Sequence, residues 1–506
     1  MRVLIFHGYL LRGTGSNIYN ASLAKALVGL GHEVHLVCQE RDTRGLDFVD
    51  GERCIVHVPD IEGVLPLYVA DSYAGFEAVP LPDLDDARIE RYIELNVRAV
   101  AEVAREVRPE VALANHLVMG PAILARALEG SVPYAVKVHG SALEYVVRPH
   151  RERFIGWARE GLAGASVVLV GSRHTAESLW EVMAEPELRE RTRLGPPGVD
   201  VELFRPRSEE EAAAGLRELA ESLEGSEAAS WGGEPGAAEA LRAIEPGRDR
   251  VVGYVGKLIV SKGVDLLLAA WPLVVAEVRE ARLCVVGFGT YREGLGRIVE
   301  ALASGELEGL GEMAALGREP EGGPPGELSY LRAFLDGLQG ERRDAYLAAA
   351  PEAAQRVHFT GRLEHDALPG LLPAFEAQVV PSTFPEAFGM VAAEAAACGA
   401  LPVSADHSGL AEVTAVLAPA LDEPLRELLA FPSGPEAVSE LAGRLVRWLS
   451  LEPAERSRAS LALAELAHSR FGWESVAKGV LAGAQGRLDE LPRVPSDAEP
   501  SAAPLG

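Results

Sequence analysis

Two glutamates, Glu386 and Glu394, lie in the stretch PEAFGMVAAEAAACG with seven residues between them. Glu386 follows the apolar run AQVVPS in a proline-containing loop, and Glu394 lies in a run of small residues that predicts a helix beginning near Phe388. Because one carboxylate comes from a loop and the other from a helix, both can accept hydrogen bonds from hydroxyl groups of one extended ligand. The alternative is that both are exposed surface acids.

Groups that suit a phosphate come from two segments of the sequence. Lys257 and Lys262 follow the apolar run VVGYVG, in a loop before a predicted helix over Asp265–Ala276. Gly389 stands at the first turn of the helix that holds Glu394, where backbone amides and the helix dipole favour an anion. These features predict a pyrophosphate site. The alternative for the lysines is a pair of solvated surface side chains.

Apolar runs that alternate with helical patterns must position these residues. The first segment contains RVLIFH, VHLVC, VALAN, YAVKVH and SVVLVG, and the second contains VVGYVG, RLCVVG, RVHFTG, AQVVPS and LPVSAD. This alternation is typical of parallel sheets covered by helices on both faces. We therefore predict the α/β class, with two doubly wound, Rossmann-like domains facing a central cleft and ligands beyond the carboxyl ends of the strands.

Composition excludes several classes of protein. The chain has 506 residues and a formal net charge of −27, which argues against a nucleic-acid partner because phosphate binding needs a basic face. No apolar run approaches the roughly 18–20 uncharged residues that span a bilayer, so we expect no transmembrane segment. The four cysteines are scattered without metal-ligand spacing, which favours a reduced, cytoplasmic protein.

The segment that holds Glu386 and Glu394 resembles the E-x7-E signature of family 4 of the retaining glycosyltransferases, which have the GT-B fold. Other pieces match that family in order: the GTGSN loop near the N-terminus, VHG at 138–140, PGVD at 197–200, and the SKG that contains Lys262. The resemblance covers both α/β segments. It leaves two insertions and the C-terminal tail uncovered.

The resemblance implies a role for each matching position. Lys257 and Lys262 would neutralise the diphosphate of a nucleotide-sugar donor, Glu386 would hold hydroxyls of the donor sugar, and His139 would lie near the reacting centre. The other donor-binding positions contact the phosphates, the nucleobase or the ribose, and they are Gly13, Gly15, Arg362, Leu363, Gly389, Met390, Val391 and Glu394. No metal and no other cofactor is expected. Many members have Arg where Lys257 stands, so a point charge replaces a bidentate contact here.

Together with the strand pattern, the resemblance predicts the domain organisation. We expect an N-terminal Rossmann-like acceptor domain, a C-terminal Rossmann-like donor domain with insertions, a helix that packs back on the N-terminal domain, and a disordered tail. In that order, the ranges are 1–195, 196–465 with insertions near 208–249 and 303–352, 466–490, and 491–506.

The acceptor is addressed by fewer residues. His116 follows a predicted strand, and a basic cluster of Arg148, His150, Arg151, Arg153 and Arg159 follows His139 in an otherwise acidic chain. Our hypothesis is that His116, Arg148 and Arg151 face the acceptor and that the cluster attracts an anionic acceptor or a membrane surface. The alternatives are a structural histidine and a solvated helix face paired with Glu152 and Glu160.

The leading functional hypothesis is retaining transfer of a hexose-type sugar from a nucleoside-diphosphate sugar to an acceptor hydroxyl. Two alternatives remain open: a nucleotide-sugar epimerase of the same fold, and a catalytically idle nucleotide-sugar-binding protein. The sequence leaves open the base, the sugar, the acceptor and the oligomeric state.

Overall fold

The computed structural model describes residues 1–13, 15–69, 73, 75–224 and 232–495. The chain forms two compact units, which meet along the chain at Gly198/Val199 and at Phe471/Gly472. The first unit therefore contains the N-terminal segment and the segment beyond Phe471, and the second contains Val199–Phe471. The boundaries predicted from the sequence lie after residues 195 and 465.

The first unit is built on a seven-stranded sheet in which all pairs of neighbouring strands are parallel. Its order is β3-β2-β1-β6-β7-β8-β9, and β4 and β5 form a separate parallel pair. The strands are β1 (Arg2–Phe6), β2 (Glu33–Val37), β3 (Cys54–His57), β4 (Val64–Leu67), β5 (Glu77–Pro80), β6 (Val111–Asn115), β7 (Tyr134–Val138), β8 (Val167–Val170) and β9 (Thr192–Leu194). The helices are α1 (Gly15–Gly29), α2 (Asp86–Val107), α3 (Gly120–Leu128), α4 (Arg151–Ala163) and α5 (Arg173–Met183).

Both faces of this sheet are covered, which explains why its strands are continuous apolar runs. Alternate side chains of β1 enter different cores: Val3 and Ile5 pack with one cluster, and Leu4 and Phe6 pack with another. The first cluster contains Leu23 of α1, among other residues. The predicted parallel sheet with two buried faces is confirmed for this unit.

The second unit has a six-stranded parallel sheet of order β12-β11-β10-β13-β14-β15. Its strands are β10 (Arg250–Val255), β11 (Ala281–Val286), β12 (Val357–Gly361), β13 (Ala377–Val380), β14 (Leu401–Ala405) and β15 (Ala430–Phe431). Its helices are α6 (Glu209–Leu223), α7 (Ala237–Arg242), α8 (Val264–Glu277), α9 (Arg292–Ser304), α10 (Leu307–Leu316), α11 (Ser329–Gly337), α12 (Gly340–Gln355), α13 (Met390–Ala397), α14 (Ser408–Leu417), α15 (Glu423–Arg426), α16 (Ala437–Leu449) and α17 (Pro453–Arg470).

Each sheet reverses its strand order at one place, between β1 and β6 in the first unit and between β10 and β13 in the second. Loops that leave such neighbouring strands diverge, so the carboxyl ends of the strands leave room for a ligand at that point. His7 and His116 follow the two strands of the first unit, and Lys257 and Glu386 lie beyond those of the second. The sheet topology thus identifies the same segments as the sequence motifs.

The ranges that we interpreted as insertions contain helices. Helices α6 and α7 lie within 208–249, and α10 to α12 lie almost wholly within 303–352. Residues 225–231 of the first range are outside the described residues. Across the described ranges, no helix is both long enough and apolar enough to cross a membrane.

The end of the chain returns to the first unit through α18 (Trp473–Ala484). Ala477, Val480 and Leu481 of α18 are buried in the same cluster as Val3 and Ile5 of β1. The start of the predicted disordered tail is also packed, since the Leu194 amide donates to the Pro492 carbonyl at 3.0 Å. Residues 496–506 of that tail lie outside the described residues.

Gly253 in β10 lies against the ring of Phe375, so replacing it with alanine is expected to destabilise the second unit by about 1–3 kcal/mol. A Cβ atom at position 253 would lie 2.0 Å from Cε2 of Phe375, which is itself buried. As a control, alanine at Gly443 in α16 meets no atom within 4 Å and is expected to stabilise by about 0.5–1 kcal/mol. Urea unfolding of both variants measures the difference, and equal stability of G253A and wild type would contradict it.

Candidate active site

The loop that follows β10 holds both lysines and ends at Gly263, directly before α8. Lys262 is the last residue of the 3₁₀ turn Val260–Lys262. Gly263 has φ of +68°, and a Cβ there would lie 2.0 Å from the carbonyl oxygen of Pro381 in the loop after β13. Only glycine lets the two loops approach this closely, because any side chain would be both strained and blocked.

The loop after β13 places Glu386 beside Lys262. The Lys262 ammonium contacts Oε1 of Glu386, and the Ser382 hydroxyl donates to the same oxygen at 2.5 Å. The Thr383 amide donates to the Ser261 carbonyl at 2.9 Å, which ties the two loops together. Burial by itself raises the pKa of Glu386, but Lys262 and Ser382 outweigh it and hold that pKa below its ordinary value. The carboxylate is therefore ionised at neutral pH.

Two residues that the sequence analysis missed fix the position of Glu386. His407 contacts the Ser382 carbonyl through Nε2 at 2.7 Å, so Nε2 carries a proton. Nδ1 of His407 lies 3.0 Å from the Ser408 hydroxyl, and that hydroxyl accepts from the Glu386 amide at 2.9 Å. Their only signal in the sequence is that they follow the apolar run LPVSA, which forms β14.

Helix α13 begins at Met390, two residues later than predicted, because Gly389 has φ of +123° and is not helical. The amides of Met390 and Val391 consequently form the first turn. Glu394 lies in the second turn with its side chain only 3% exposed. Within the described residues, no hydrogen bond links it to Glu386. Its Oε1 atom instead lies 2.7 Å from Nε2 of His365.

His365 is a further residue that sequence reasoning missed. Burial lowers the pKa of His365, but the Glu394 carboxylate outweighs burial and raises that pKa above its ordinary value. The ring of Phe204, the residue after PGVDVEL, lies 5.2 Å from the His365 ring. His365 and Glu394 therefore form a partly buried pair in which the histidine orients the carboxylate.

Arg362 and Leu363, predicted to frame the nucleobase, directly follow β12. The Arg362 guanidinium pairs with Glu364 at 2.6 Å and lies 5.3 Å from the centre of the Phe288 ring. The Arg362 amide donates to the carbonyl of Gly232, which belongs to the first insertion range. Leu363 is partly buried against the core of the second unit.

The second insertion range also reaches this region through Glu321. Its Oε2 atom accepts from the Val260 amide at 2.8 Å, in the turn that ends with Lys262. Arg318 donates to the other carboxylate oxygen at 2.5 Å, and the Glu321 side chain is 4% exposed. The lysine loop is therefore supported by a buried carboxylate from outside the strand–helix unit that carries the lysines.

In the first unit, the structure brings His116 and His139 together, with ring centres 4.9 Å apart. His116 follows β6 with φ of +70°, and within the described residues neither of its ring nitrogens has a hydrogen-bond partner. Burial, and then the neighbouring His7, lowers the pKa of His116 well below its ordinary value. Gly13 has φ of +94° and Gly15 is the first residue of α1, whereas Thr14 between them lies outside the described residues.

The basic cluster is held by groups other than the two glutamates we named. Arg148 pairs with Glu144 and Glu181, each at 3.0 Å, and Arg151 donates to the Val182 carbonyl at 2.6 Å. The remaining contacts are those of Arg153 with Asp86, Arg159 with Glu185, and Glu160 with Arg126. Much of the positive charge is thus balanced within the chain.

Two parallel sheets, each with polar loops at its strand-order reversal, define a protein of the GT-B class. Residues 13–203 match a sequence family described as "Glycosyltransferase Family 4", and residues 335–420 match one described as "Glycosyl transferases group 1". Each of the two units therefore matches a glycosyltransferase family over part of its length. The matched ranges contain Gly13, His139, Glu386 and Glu394.

Curated relatives are similar over part of the chain. Glycogen synthase of Mycobacterium tuberculosis is 27% identical over 243 residues, which are 47% of this chain and 51% of the relative. D-inositol 3-phosphate glycosyltransferase of Segniliparus rotundus is 27% identical over 296 residues, which are 58% of this chain and 46% of the relative. The chain spans about half the length of the curated relatives it matches.

Solved structures share the fold over nearly the whole chain. Sucrose-phosphate synthase from Thermosynechococcus elongatus aligns with a TM-score of 0.55 and 19% identity, covering 96% of this chain and 98% of the other. Alr3699/HepE of Anabaena, solved in complex with UDP-glucose, aligns with a TM-score of 0.57 and 16% identity, covering 96% and 99%. At these identities the comparisons show the fold alone.

Proposed function

We propose that this protein transfers a hexose-type sugar from a nucleoside-diphosphate sugar to an acceptor hydroxyl, with retention of the anomeric configuration. The observation that carries the proposal is the cluster at the β10/β13 reversal, where Lys262 contacts Glu386 and the first turn of α13 follows directly in the chain. A cation, an ionised carboxylate and free helix amides suit a ligand that carries both a diphosphate and sugar hydroxyls.

In this proposal the second unit is the donor domain and the first is the acceptor domain. Lys257, Lys262 and the amides of Met390 and Val391 stabilise the nucleoside diphosphate as it leaves. Glu386 accepts hydrogen bonds from hydroxyls of the donor sugar. The remaining donor contacts are those of Glu394 with the ribose, of Arg362 and Leu363 with the base, and of Gly13, Gly15 and Gly389 with phosphates through bare backbone.

The reaction breaks the bond between the anomeric carbon and the diphosphate oxygen, and it forms a bond from that carbon to the acceptor oxygen on the same face. The acceptor proton leaves with the departing diphosphate, so no side-chain nucleophile is required. Fixed cations and preoriented amides act where negative charge develops, and such electrostatic stabilisation usually accounts for most of the rate enhancement.

A donor screen and a product assay test the proposal. Nucleoside-diphosphate hexoses that differ in base and sugar, UDP-glucose among them, are compared by thermal shift, because a ligand that binds the folded state raises Tm by mass action. The stabilising donor is then incubated with sugar, inositol and sugar-phosphate acceptors, and the product anomer is determined by NMR. Diphosphate release that needs an acceptor, with a retained anomer, supports the proposal.

Other outcomes would identify the alternatives. Release of the diphosphate, or a changed sugar configuration, without any acceptor would indicate an epimerase. Binding of a donor without turnover across the acceptor panel would indicate an idle binding protein. An anionic acceptor preferred over its neutral counterpart would support a role for His116, Arg148 and Arg151, and vesicle binding would support peripheral membrane contact.

The support of the lysine loop by Glu321 gives a separate prediction. Replacing Glu321 with alanine leaves the buried Val260 amide without its acceptor, which costs about 1–3 kcal/mol. We expect donor kcat/KM to fall roughly tenfold, since about 1.4 kcal/mol corresponds to a factor of ten. Glu321→Gln keeps an acceptor oxygen for the Val260 amide but loses the bond from Arg318, so its loss of kcat/KM should be smaller than that of Glu321→Ala.

The matched control is Glu319→Ala, because Glu319 lies in the same short turn but is exposed. It should leave kcat/KM unchanged. Equal losses in the Glu319 and Glu321 variants would mean that the turn, and not the contact with Val260, matters.

A further inference from the structure

A chain of side-chain amides and imidazoles links the GTGSN loop to His139 within the first unit. It begins at Asn17, whose Nδ2 donates to the Arg12 carbonyl at 2.6 Å. A carbonyl can only accept, so the amide group of Asn17 must face Arg12 and its Oδ1 must face the other way. Oδ1 of Asn17 lies 2.8 Å from Nε2 of His7. His7 therefore carries its proton on Nε2 and leaves Nδ1 as an acceptor.

The next step of the chain is Asn20, one helical turn further along α1. Its Nδ2 donates to the Ser16 carbonyl at 2.8 Å and also lies 3.0 Å from Nδ1 of His7. Both contacts require a donor at Nδ2, because one partner is a carbonyl and the other is the bare nitrogen of His7. The Oδ1 atom of Asn20 is thereby turned toward Asn115.

Asn115, the last residue of β6, completes the chain. Its Nδ2 donates to Oδ1 of Asn20 at 2.8 Å and to the Phe6 carbonyl at 3.1 Å. Its Oδ1 lies 2.7 Å from Nε2 of His139. Since Asn115 presents an oxygen, the nitrogen that faces it must be protonated.

We propose that this chain, from Asn17 through His7, Asn20 and Asn115, holds His139 as the tautomer protonated on Nε2, so that Nδ1 acts only as a hydrogen-bond acceptor. The side-chain amide of each asparagine donates to a backbone carbonyl. Rotating one of these amides by 180° would therefore place its oxygen against the oxygen of that carbonyl. Asn17, Asn20, His7 and Asn115 are positioning residues for His139. Within the described residues, Nδ1 of His139 has no hydrogen-bond partner, and the His139 side chain is partly exposed.

The surroundings of His139 keep it neutral as well as oriented. The groups that face it are His116 and His7 from the ends of β6 and β1, Lys137 from its own strand, and the ring of Tyr19 from α1. Burial is the largest cause of its lowered pKa, followed by His116, Lys137 and His7. A neutral ring with one protonated nitrogen and one lone pair results.

The functional consequence rests on the proposed sugar transfer. Nδ1 would accept a hydrogen bond from a substrate hydroxyl and would not donate one to a phosphate or a carbonyl. The substrate contact at His139 is then specific for a hydrogen-bond donor, such as a sugar hydroxyl. A substrate with an ether or fluorine at that position would lose this contact, and a free hydroxyl would keep it.

The tautomer can be measured without any assay of transfer. Long-range ¹H–¹⁵N spectra of histidine-labelled full-length protein distinguish a protonated ring nitrogen from a bare one, and the signals of His139 are assigned with His139→Gln or, if that variant is unstable, His139→Asn. We expect a neutral ring with protonated Nε2 and bare Nδ1 at pH 7. A ring protonated on Nδ1, a mixture of tautomers, or an imidazolium would overturn the inference.

A kinetic test uses Asn115→Asp. In this variant a carboxylate oxygen takes the place of Nδ2, the amide nitrogen that donates to the Phe6 carbonyl and to Oδ1 of Asn20. The carboxylate still accepts from Nε2 but favours the imidazolium, so Nδ1 loses its lone pair as the pH falls. We expect kcat/KM of this variant to decline tenfold per pH unit below a pKa that wild type does not show in the range of pH 5.5–8. The matched control is Asn96→Asp, because Asn96 is a buried amide of the same unit that donates to the Tyr92 carbonyl.

The two experiments separate failure of the inference from failure of the proposed function. If His139 has the expected tautomer but the protein transfers no sugar, the hydrogen-bonded chain is supported and the proposed function is wrong. If the protein transfers sugar but His139 has the opposite tautomer, the inference is wrong and the proposed function is kept. The same holds if kcat/KM of the Asn96 and Asn115 variants falls in the same way at low pH. If N115D does not fold, Asn115→Ala removes the oxygen that faces Nε2 of His139 and is expected to give a mixture of His139 tautomers.

Discussion

Replacing Lys262 with alanine is expected to lower kcat about 100- to 1,000-fold at saturating donor, the range observed when one preoriented donor is removed from a site of developing negative charge. In our proposal Lys262 meets the departing diphosphate. The donor KM should change less than kcat, because the interaction strengthens as charge develops. Initial rates over a range of donor concentrations measure both parameters.

The Lys262 variant has a second expected effect, on pH dependence. Lys262 is the main group that holds the pKa of Glu386 below its ordinary value against the opposing effect of burial. Without it that pKa should rise, so the residual activity should fall as the pH drops through the raised value. Lys478→Ala removes an exposed lysine paired with Glu474 and should leave kcat unchanged. A K262A enzyme with near-normal turnover would contradict the leaving-group role.

Replacing Glu394 with alanine is expected to weaken nucleoside-diphosphate binding by roughly 10- to 100-fold. Hydrogen bonds to a charged group contribute about 1.5–3 kcal/mol, and 1.4 kcal/mol corresponds to a factor of ten. Glu394 is nearly buried and held by His365, so the carboxylate is oriented before the ribose binds. Isothermal titration calorimetry of the diphosphate gives the affinity directly.

Two further variants make the Glu394 result specific. His365→Ala removes the orienting partner but leaves the carboxylate, so its loss of affinity should be smaller than that of Glu394→Ala. Glu440→Gln changes a helix-surface carboxylate paired with Arg444 and should leave affinity unchanged. Unchanged affinity in Glu394→Ala would exclude the ribose role.

The central strands of both sheets could be predicted because each is a continuous apolar run buried on two faces. RVLIF and VALAN form β1 and β6, and the intervening glycines and helical spacing fix the crossover helices. The short edge strands could not be predicted. Strand β15 has two residues and β9 has three, and such segments depend on pairing with a neighbour more than on their own composition.

The parts of the candidate site that were missed are contacts between distant positions. His365 reaches Glu394, His407 reaches Ser382, and Glu321 reaches Val260 across 61 positions of sequence. A motif shows which residue types lie near one another in the chain, but it does not show which side chain arrives from another element. The late start of α13 had a local cause, the positive φ of Gly389, and local spacing alone did not specify it.

The return of α18 to the first unit has a consequence for synthesis of the protein on the ribosome. Helix α1 covers part of the sheet face that holds Val3, Ile5 and Val167, but the rest of that face stays uncovered until Val480 and Leu481 have been translated, whereas all residues of the second unit precede them. Domains generally fold as units while the chain emerges. The domain translated first is therefore the one completed last, and a nascent chain that stalls before residue 473 exposes an apolar surface for chaperones to bind.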